Sequence, residues 1–268
     1  MHGSDAVFAD SVPELYDRYL VPLIFEQYAR EVANRVVPLA PQAVLEVAAG
    51  TGAVTRAVAP LLRESRIIAT DLNKEMLDRA ASTTQLPNIE WQVADALELP
   101  FDDASFDAVI CQFAAMFFPD KIKGFAEARR VLKKGGLFIF SVWDRIEENE
   151  FADIVTRSMA EMFPHDPPRF LARTPHGYFD RDRIMSDVRD GGFASPLIDT
   201  IPERSRADSP RIPAIAYCEG TPLRNELVAR DAARLDEATT VATDALRRAF
   251  GAGPVDGKIQ AHLITAFA

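Results

Sequence analysis

The chain has 268 residues, 48% of them hydrophobic, enough to bury one large core with a modest insertion, and it holds no apolar run of the roughly 18 residues that a membrane span needs. Thirty Lys and Arg stand against 40 Asp and Glu; the formal charge of -10 repels a phosphate backbone, and the basic groups Arg181/Arg183 and Arg247/Arg248 are too interleaved with acid or too short to offset it, so no nucleic-acid partner is expected. The two cysteines, Cys111 and Cys218, lack a CxxC spacing or clustered histidines, which excludes a zinc site and leaves them as buried thiols, while residues 1–5 lack the basic start of an export signal, so the expected address is cytoplasmic, with no membrane partner.

Residues 12 to 37 read as helix. After a short segment around Tyr16 and Tyr19, Pro22 opens a stretch with Phe25, Tyr28, Ala29, Val32 and Val36 on one face, and Pro38 stops it. The stretch 44–52, VLEVAAGTG, then organises the chain: an apolar run holding Glu46, two glycines one residue apart at Gly50 and Gly52, and a helical pattern of Ala53, Val54, Ala57, Val58 and Leu61. A strand, a glycine turn and a helix start let backbone N–H groups approach a nucleotide-like ligand. A second strand over 66–70 ends at Asp71, where a carboxylate accepts both hydroxyls of a ribose or caps the helix starting near Asn73. That helix carries Met76, Leu77, Ala80 and Ala81, with Met76 either against an adenine face or in the core. A third strand over 89–93 leads to Asp95, Ala96 and Leu97, where an acid and a backbone amide can read an adenine edge, so three strand ends converge.

The connector 99–103 precedes a fourth strand over 106–111, and a helix begins at Pro119 and Asp120 with Ile122, Phe125, Ala128 and Leu132 at helical spacing. Lys133, Lys134, Gly135 and Gly136 read as its carboxyl end, with the lysines on the dipole and a glycine in the left-handed cap. The apolar run 137–143 is a central fifth strand. Helical pieces follow near 151–163 and 181–189, then a sixth strand around 197–201, helices over 208–250 with Pro213 and Pro222 near their starts, and a last strand over 259–267. The run Asp166-Pro167-Pro168-Arg169 is near the acid-Pro-Pro-aromatic pattern of base-modifying enzymes, but Arg169 replaces the aromatic and the run lies past the fifth strand, so it reads as a loop.

The run from Glu46 through Gly52, with Asp71, Asp95-Ala96 and the later LKKGGL at 132–137, resembles the class I S-adenosylmethionine-dependent methyltransferases, in particular the "type 11" and ubiquinone/menaquinone-biosynthesis branch, over residues 40 to 145. The resemblance implies an α/β, Rossmann-like fold with a seven-stranded, mostly parallel sheet in the order 3-2-1-4-5-7-6, strand 7 antiparallel. It implies one domain over 1–268, with an N-terminal helical lid at 1–40 and a helical cap from insertions at 144–180 and 207–250. It implies S-adenosyl-L-methionine as cofactor, leaving as S-adenosyl-L-homocysteine. The cofactor-binding residues are then Tyr19, Glu46, Ala48, Gly50, Gly52, Asp71, Leu72, Met76, Asp95, Ala96, Leu97, Gln112 and Phe117. Glu46 serves the glycine-turn network or the cofactor's amino-acid end, and Gln112 and Phe117 line the site near the sulfonium and adenosine.

Methyl transfer needs an acceptor brought in line behind the methyl carbon, and a protein base is optional. The expected substrate residues are the aromatics Tyr16, Phe118, Trp143 and Tyr178 with His176, and the catalytic candidates are His176 and Tyr19, for a small-molecule substrate. His176 reads either as a base taking a proton from a phenol, its ordinary pKa being near neutrality, or as a solvent-facing loop histidine. A monomer or homodimer is expected, with no metal. The alternatives are an NAD(P)-binding Rossmann oxidoreductase, disfavoured because GxGxxG counted from Gly50 would need glycine where Thr55 stands, and a binding protein that keeps the cofactor and transfers nothing.

Overall fold

The computed structural model describes residues 12–268. The stretch 1–5, read above for an export signal, lies outside the described residues, as does the start of the expected lid. Seven strands, β1 (Ala43–Val47), β2 (Arg66–Asp71), β3 (Ile89–Val93), β4 (Phe106–Gln112), β5 (Leu132–Trp143), β6 (Leu197–Ala207) and β7 (Val255–Phe267), form one sheet in the order β3-β2-β1-β4-β5-β7-β6. The pairs β1/β2, β1/β4, β2/β3 and β4/β5 are parallel. Strand β7 runs the other way. Gly135 near the start of β5 donates its N–H to the carbonyl of Ala268 after the end of β7, and Asp144 just past the end of β5 donates to Gln260. The expected order and the antiparallel last strand are both present, and the sheet reverses its winding between β1 and β4, where ligands of such sheets bind.

The helices are α1 (Val12–Leu15), a π-helix (Tyr16–Phe25), α2 (Glu26–Val36), α3 (Ala53–Val58), α4 (Lys74–Thr83), α5 (Lys121–Val131), α6 (Glu150–Met162), α7 (Phe170–Arg173), α8 (Arg181–Asp190), α9 (Arg211–Cys218), α10 (Leu223–Asp231) and α11 (Leu235–Phe250). The chain packs as two compact units. A sheet unit comprises 26–142, 179–201 and 261–268; a helical unit comprises 12–25, 143–178 and 202–260. In the sheet unit the apolar stripe of α2 (Ala29, Val32, Ala33, Val36) and that of α3 (Val54, Val58) close on Val44, Ile67, Ala108, Ile110 and Ile139 of the strands. Each Val and Ile among them contributes roughly 1.5–3 kcal/mol of burial. In the helical unit α11 packs on α6 and α9, and α9 on the π-helix. Phe151 of α6 meets Phe250 edge-on and lies so close to Gly257 of β7 that a Cβ there would be 2.7 Å from its ring.

Several local expectations are corrected. Pro22 does not open a helix; it lies inside the π-helix, whose wider coil relieves the clash that a proline ring makes with the preceding turn of an α-helix. Leu61 is exposed, because α3 ends at Val58, two residues before Pro60. Ile122 is exposed too, and the buried face of α5 is Gly124, Phe125, Ala128 and Val131. The stretch Lys133 to Gly136 is not a helix end: β5 already starts at Leu132, because Gly135 and Gly136 pair with Ala268 and Lys133 ion-pairs with Asp107 at 2.7 Å, and the cations of the last turn of α5 are Arg129 and Arg130. Strands β6 and β7 are longer than the sequence suggests, running to Ala207 and starting at Val255. Cross-strand partners Arg204 with Asp256 and Thr200 with His262 hold the polar positions that hide the pattern.

Candidate functional site

The chain leaves β1 through a left-handed series: Ala48 has φ 55°, Gly50 57° and Gly52 84°. At Gly52 a Cβ would also stand 2.9 Å from the Trp91 ring and 3.3 Å from Ala80, so neither backbone nor space admits a side chain. Phe113, directly after β4, is left-handed as well, with φ 53°. Both strands that flank the switch point thus end in a non-glycine residue in a sparsely populated conformation, a pattern that concentrates at functional sites.

Asp71 ties the glycine turn down. One carboxylate oxygen accepts from the N–H of Gly50 at 2.8 Å and the other from the N–H of Asn73 at 2.8 Å. It does not cap α4, because Asn73 does so, accepting from Glu75 and Met76 at 3.0 and 3.2 Å. Burial raises the Asp71 pKa and the backbone bonds from Asn73 and Gly50 oppose that. Met76 is buried against the turn, its methyl 3.6 Å from where a Cβ on Gly50 would sit.

Glu46 points from β1 into the interior beneath the turn. Its Oε2 accepts from Thr55 Oγ1 at 2.5 Å, and burial lifts its pKa to about 7, against the pull of that bond and of the Arg56 charge, with Asp71 pushing the same way as burial. Arg56 in turn donates to the carbonyl of Thr51 at 2.5 Å. The hydroxyl of Thr51, between the two glycines, is buried and has no hydrogen-bond partner among the described residues. An orphaned buried hydroxyl costs roughly 1–3 kcal/mol, so this turn fits a polar ligand.

Farther along the strand ends, Asp95 is exposed and accepts from the N–H of Leu97 at 2.8 Å, closing a local turn around Ala96. Leu72 is 66% exposed beside Asp71. Gln112 ends β4 and Phe117 closes a short 3-10 turn. The Phe118 ring lies over Gly124 at the start of α5, beside Leu97, all three being residues of the sheet unit. The Cys111 thiol is buried, with a pKa pushed up to about 12, as is that of Cys218. Among the described residues no group of three or more His, Cys, Asp or Glu is set to hold a metal ion.

The remaining candidates, Tyr16, Tyr19, Trp143, His176 and Tyr178, all belong to the helical unit. Three ring contacts run in series: Tyr16 stacks on Phe25 with centroids 5.2 Å apart, Phe25 meets Trp143 at 5.9 Å, and Trp143 meets His176 at 6.0 Å. Tyr19 stands under the Arg18 guanidinium, 5.1 Å from its ring centroid, and Tyr178 is buried. His176 is not solvent-facing; it is buried, with Nδ1 2.8 Å from the carbonyl oxygen of Asp144. A carbonyl only accepts, so Nδ1 carries the proton. Burial lowers the His176 pKa to about 4, so the ring is neutral. The Asp144 carboxylate is itself held by Gln260 at 2.6 Å and by the N–H of Arg145 at 2.7 Å.

Thr55, Arg56, Asp144 and Gln260 escape the sequence reading. Thr55 left one signal, a hydroxyl on the apolar face of α3; the other three look like ordinary surface residues in sequence.

Comparison with known proteins agrees with this geometry. Residues 45–140 match the family described as "Methyltransferase domain". The demethylmenaquinone methyltransferase of Clavibacter sepedonicus is 30% identical over 209 residues, covering 72% of this chain and 83% of that protein. That of Deinococcus radiodurans is 36% identical over 138 residues, 50% of this chain and 57% of that protein, so the chain spans little more than half of this relative. The YcgJ protein of Bacillus subtilis has a similar fold, with TM-score 0.56 at 22% identity over 90% of this chain and 98% of that one. The chain belongs to the class I S-adenosylmethionine-dependent methyltransferases, in the branch of the ubiquinone/menaquinone-biosynthesis enzymes. Among the described residues no helix is long and apolar enough to cross a membrane.

Proposed function

We propose that the protein transfers the methyl group of S-adenosylmethionine to a small molecule. The observation that carries this reading is the glycine turn pinned by Asp71, with the orphaned Thr51 hydroxyl inside it, in a chain of this family. The cofactor supplies an electrophilic methyl on its sulfonium. The chain's part is to bind and orient. Gly50, Gly52 and Ala48 present backbone; Asp71 receives ribose hydroxyls on the lone pairs its two backbone bonds leave; Glu46 fixes the turn from below; Asp95, Ala96, Leu97, Leu72 and Met76 surround the base; Gln112, Phe117 and Tyr19 complete the cofactor set. Tyr16, Phe118, Trp143, His176 and Tyr178 are the residues for the acceptor.

The relatives named for demethylmenaquinone methylation support a planar aromatic acceptor, as does the series of rings from Tyr16 to His176. The charge of -10 supports a small molecule over nucleic acid. A cytoplasmic enzyme acting as monomer or homodimer goes with this reading. Calorimetric titration with S-adenosylmethionine, S-adenosylhomocysteine and NAD(P) tests the cofactor, and transfer of labelled methyl to a metabolite panel, against bulk RNA, DNA and protein, tests the acceptor. Binding of NAD(P) alone, or label only in macromolecules, would overturn the reading.

A further inference from the structure

Gly124, Glu127 and Arg130 recur at three-residue intervals on α5, which sets them along one side of the helix, and all three meet the connector between β3 and β4. A Cβ on Gly124 would stand 2.7 Å from the Phe118 ring and 3.3 Å from a Leu97 methyl, so the missing side chain lets both lie against the helix. Glu127 accepts the N–H of Leu99 at 2.8 Å. Arg130 donates to both Glu127 oxygens, each at 2.8 Å. It also reaches the carbonyls of Leu99 at 2.9 Å and Phe101 at 2.7 Å, and the Asp103 carboxylate at 2.8 Å. The five N–H donors of a guanidinium thus find five acceptors here. The carbonyls of Arg130 and Val131 then take the N–H groups of Ala104 and Ser105, where the connector enters β4.

This is more than the entry to β4 requires, since the bonds of Ala104 and Ser105 already fix that end. The contacts to Leu97 and Leu99 act at the other end, on the residues that follow Asp95 and Ala96. Asp95 is exposed, Ala96 and Leu97 are half-buried, and the turn they form is closed by the Leu97 N–H on Asp95 at 2.8 Å. That turn has little burial of its own to hold it in place. Its position comes from Leu97 on α5 and from Leu99, which is buried and bonded at both its N–H and its carbonyl. The Glu127 and Arg130 side chains are 19% and 32% exposed and meet as a two-bond fork, so the pair contributes fixed geometry where a solvated ion pair would contribute little.

We propose that Glu127 and Arg130 position the cofactor's base: by anchoring Leu99 and Phe101 they preset the turn at 95–97, and so set the preference for a 6-amino purine over a 6-oxo purine. The proposal rests on the methyltransferase reading in which Asp95, Ala96 and Leu97 surround the base. A 6-amino purine donates from its amino group and accepts at N1, whereas a 6-oxo purine accepts and donates at those same two places. A carboxylate and backbone N–H groups tell the two apart only while they are held within the narrow tolerance of a hydrogen bond. Glu127 and Arg130 act through the connector and are positioning residues.

The test compares S-adenosylhomocysteine with S-inosylhomocysteine, its 6-oxo counterpart, by calorimetry on the full chain. Wild type is expected to bind the adenine ligand at least about tenfold tighter. Arg130→Lys keeps the charge but replaces the fork with a single point, and is expected to shrink that preference to within about threefold, with S-inosylhomocysteine affinity itself little changed. Glu127→Gln, which keeps an oxygen for the Leu99 N–H, is expected to retain part of the preference. A merely structural role would weaken both ligands alike and leave their ratio unmoved. Hydrogen exchange on wild type needs no variant to fold: the Leu99 amide should be protected before any ligand is added and change little with S-adenosylhomocysteine. If Arg130→Lys does not fold, Glu127→Gln and the exchange measurement decide. An unmoved ratio in the variants, or a Leu99 amide that exchanges freely until S-adenosylhomocysteine binds, overturns the proposal alone. Equal binding of the two ligands by wild type removes 95–97 from the base site, and the proposal with it. Failure of wild type to bind either ligand overturns the methyltransferase reading.

Discussion

The two units solve the problem of a polar group in an apolar interior in opposite ways. In the sheet unit, Asp71 and Asn73 serve backbone within a few residues of themselves or one strand over, and Gly50, Gly52 and Ala48 contribute main chain. In the helical unit, side chains link in series from Tyr16 through Phe25 and Trp143 to His176, Gln260 holds the Asp144 carboxylate, and the backbone enters through the carbonyl of Asp144 and the N–H of Arg145. A backbone site tolerates change in the residues around it so long as the turn survives, whereas a side-chain site changes its ligand with each substitution. This difference suits a shared cofactor and a varied acceptor.

The largest break expected on the sheet side is Asp71→Ala. Affinity for S-adenosylmethionine should fall about tenfold to a few hundredfold, since charge-assisted bonds are worth roughly 1.5–3 kcal/mol each and water replaces part of them. The melting point should fall too, because Gly50 and Asn73 lose their acceptor. Affinity unchanged within twofold in a calorimetric titration would remove Asp71 from the ribose role.

The units also carry buried groups with opposite pH signs. Glu46 is lifted from an ordinary 4.5 to about 7, so the unfolded chain ionises first, and stability is lost as pH rises between those values. His176 is lowered from 6.5 to about 4, so the unfolded chain takes the proton first, and stability is lost as pH falls from 6.5 toward 4. At about 1.4 kcal/mol per pKa step each effect is at most on the order of 3 kcal/mol. Glu46→Gln should therefore gain on wild type as pH rises to 7 and His176→Gln as pH falls to 4.5, in urea unfolding followed across that range. Parallel curves for wild type and variant would dismiss either assignment.

Smaller is Thr55→Val. Losing the donor leaves Glu46 Oε2 buried without it, a cost of about 1–3 kcal/mol, and should raise the Glu46 pKa further; Thr55→Ser should restore both. Carbon-13 titration of the Glu46 carboxyl would read the shift directly. Smallest is Asn73→Ala, about 1 kcal/mol of stability for a lost helix cap, with cofactor affinity held. A drop in affinity larger than the drop in stability would mean that α4 itself positions the site.

Legibility divides along the same line. The strand-and-turn grammar of 43–71 is written in consecutive residues, so β1, the glycine turn and Asp71 are visible without coordinates. The sheet order is legible only through the family resemblance, which the last strand with no helix behind it matches. The failures have local causes. Lys133 to Gly136 carries every mark of a helix end, but strand pairing with Ala268 overrides it. His176 sits after Pro175 and before Gly177, a context that reads as an open loop, and only the fold shows it buried. The support of Asp144 by Gln260 spans 116 positions and leaves no periodic trace.

The π-helix at Tyr16–Phe25 has a consequence for that ring series. Nine positions separate Tyr16 from Phe25, which at 3.6 residues per turn is two and a half revolutions and would set the rings on opposite sides of the rod. With i→i+5 bonding the coil takes roughly 4.4 residues per turn, the same nine positions make about two whole revolutions, and the rings come into phase. Their 5.2 Å stack is thus an angular matter, fixed by the winding of the backbone. Deleting one residue between them, such as Val21, would let the rod rewind to the commoner pitch and rotate Tyr16 away from Phe25 with every ring still in the chain.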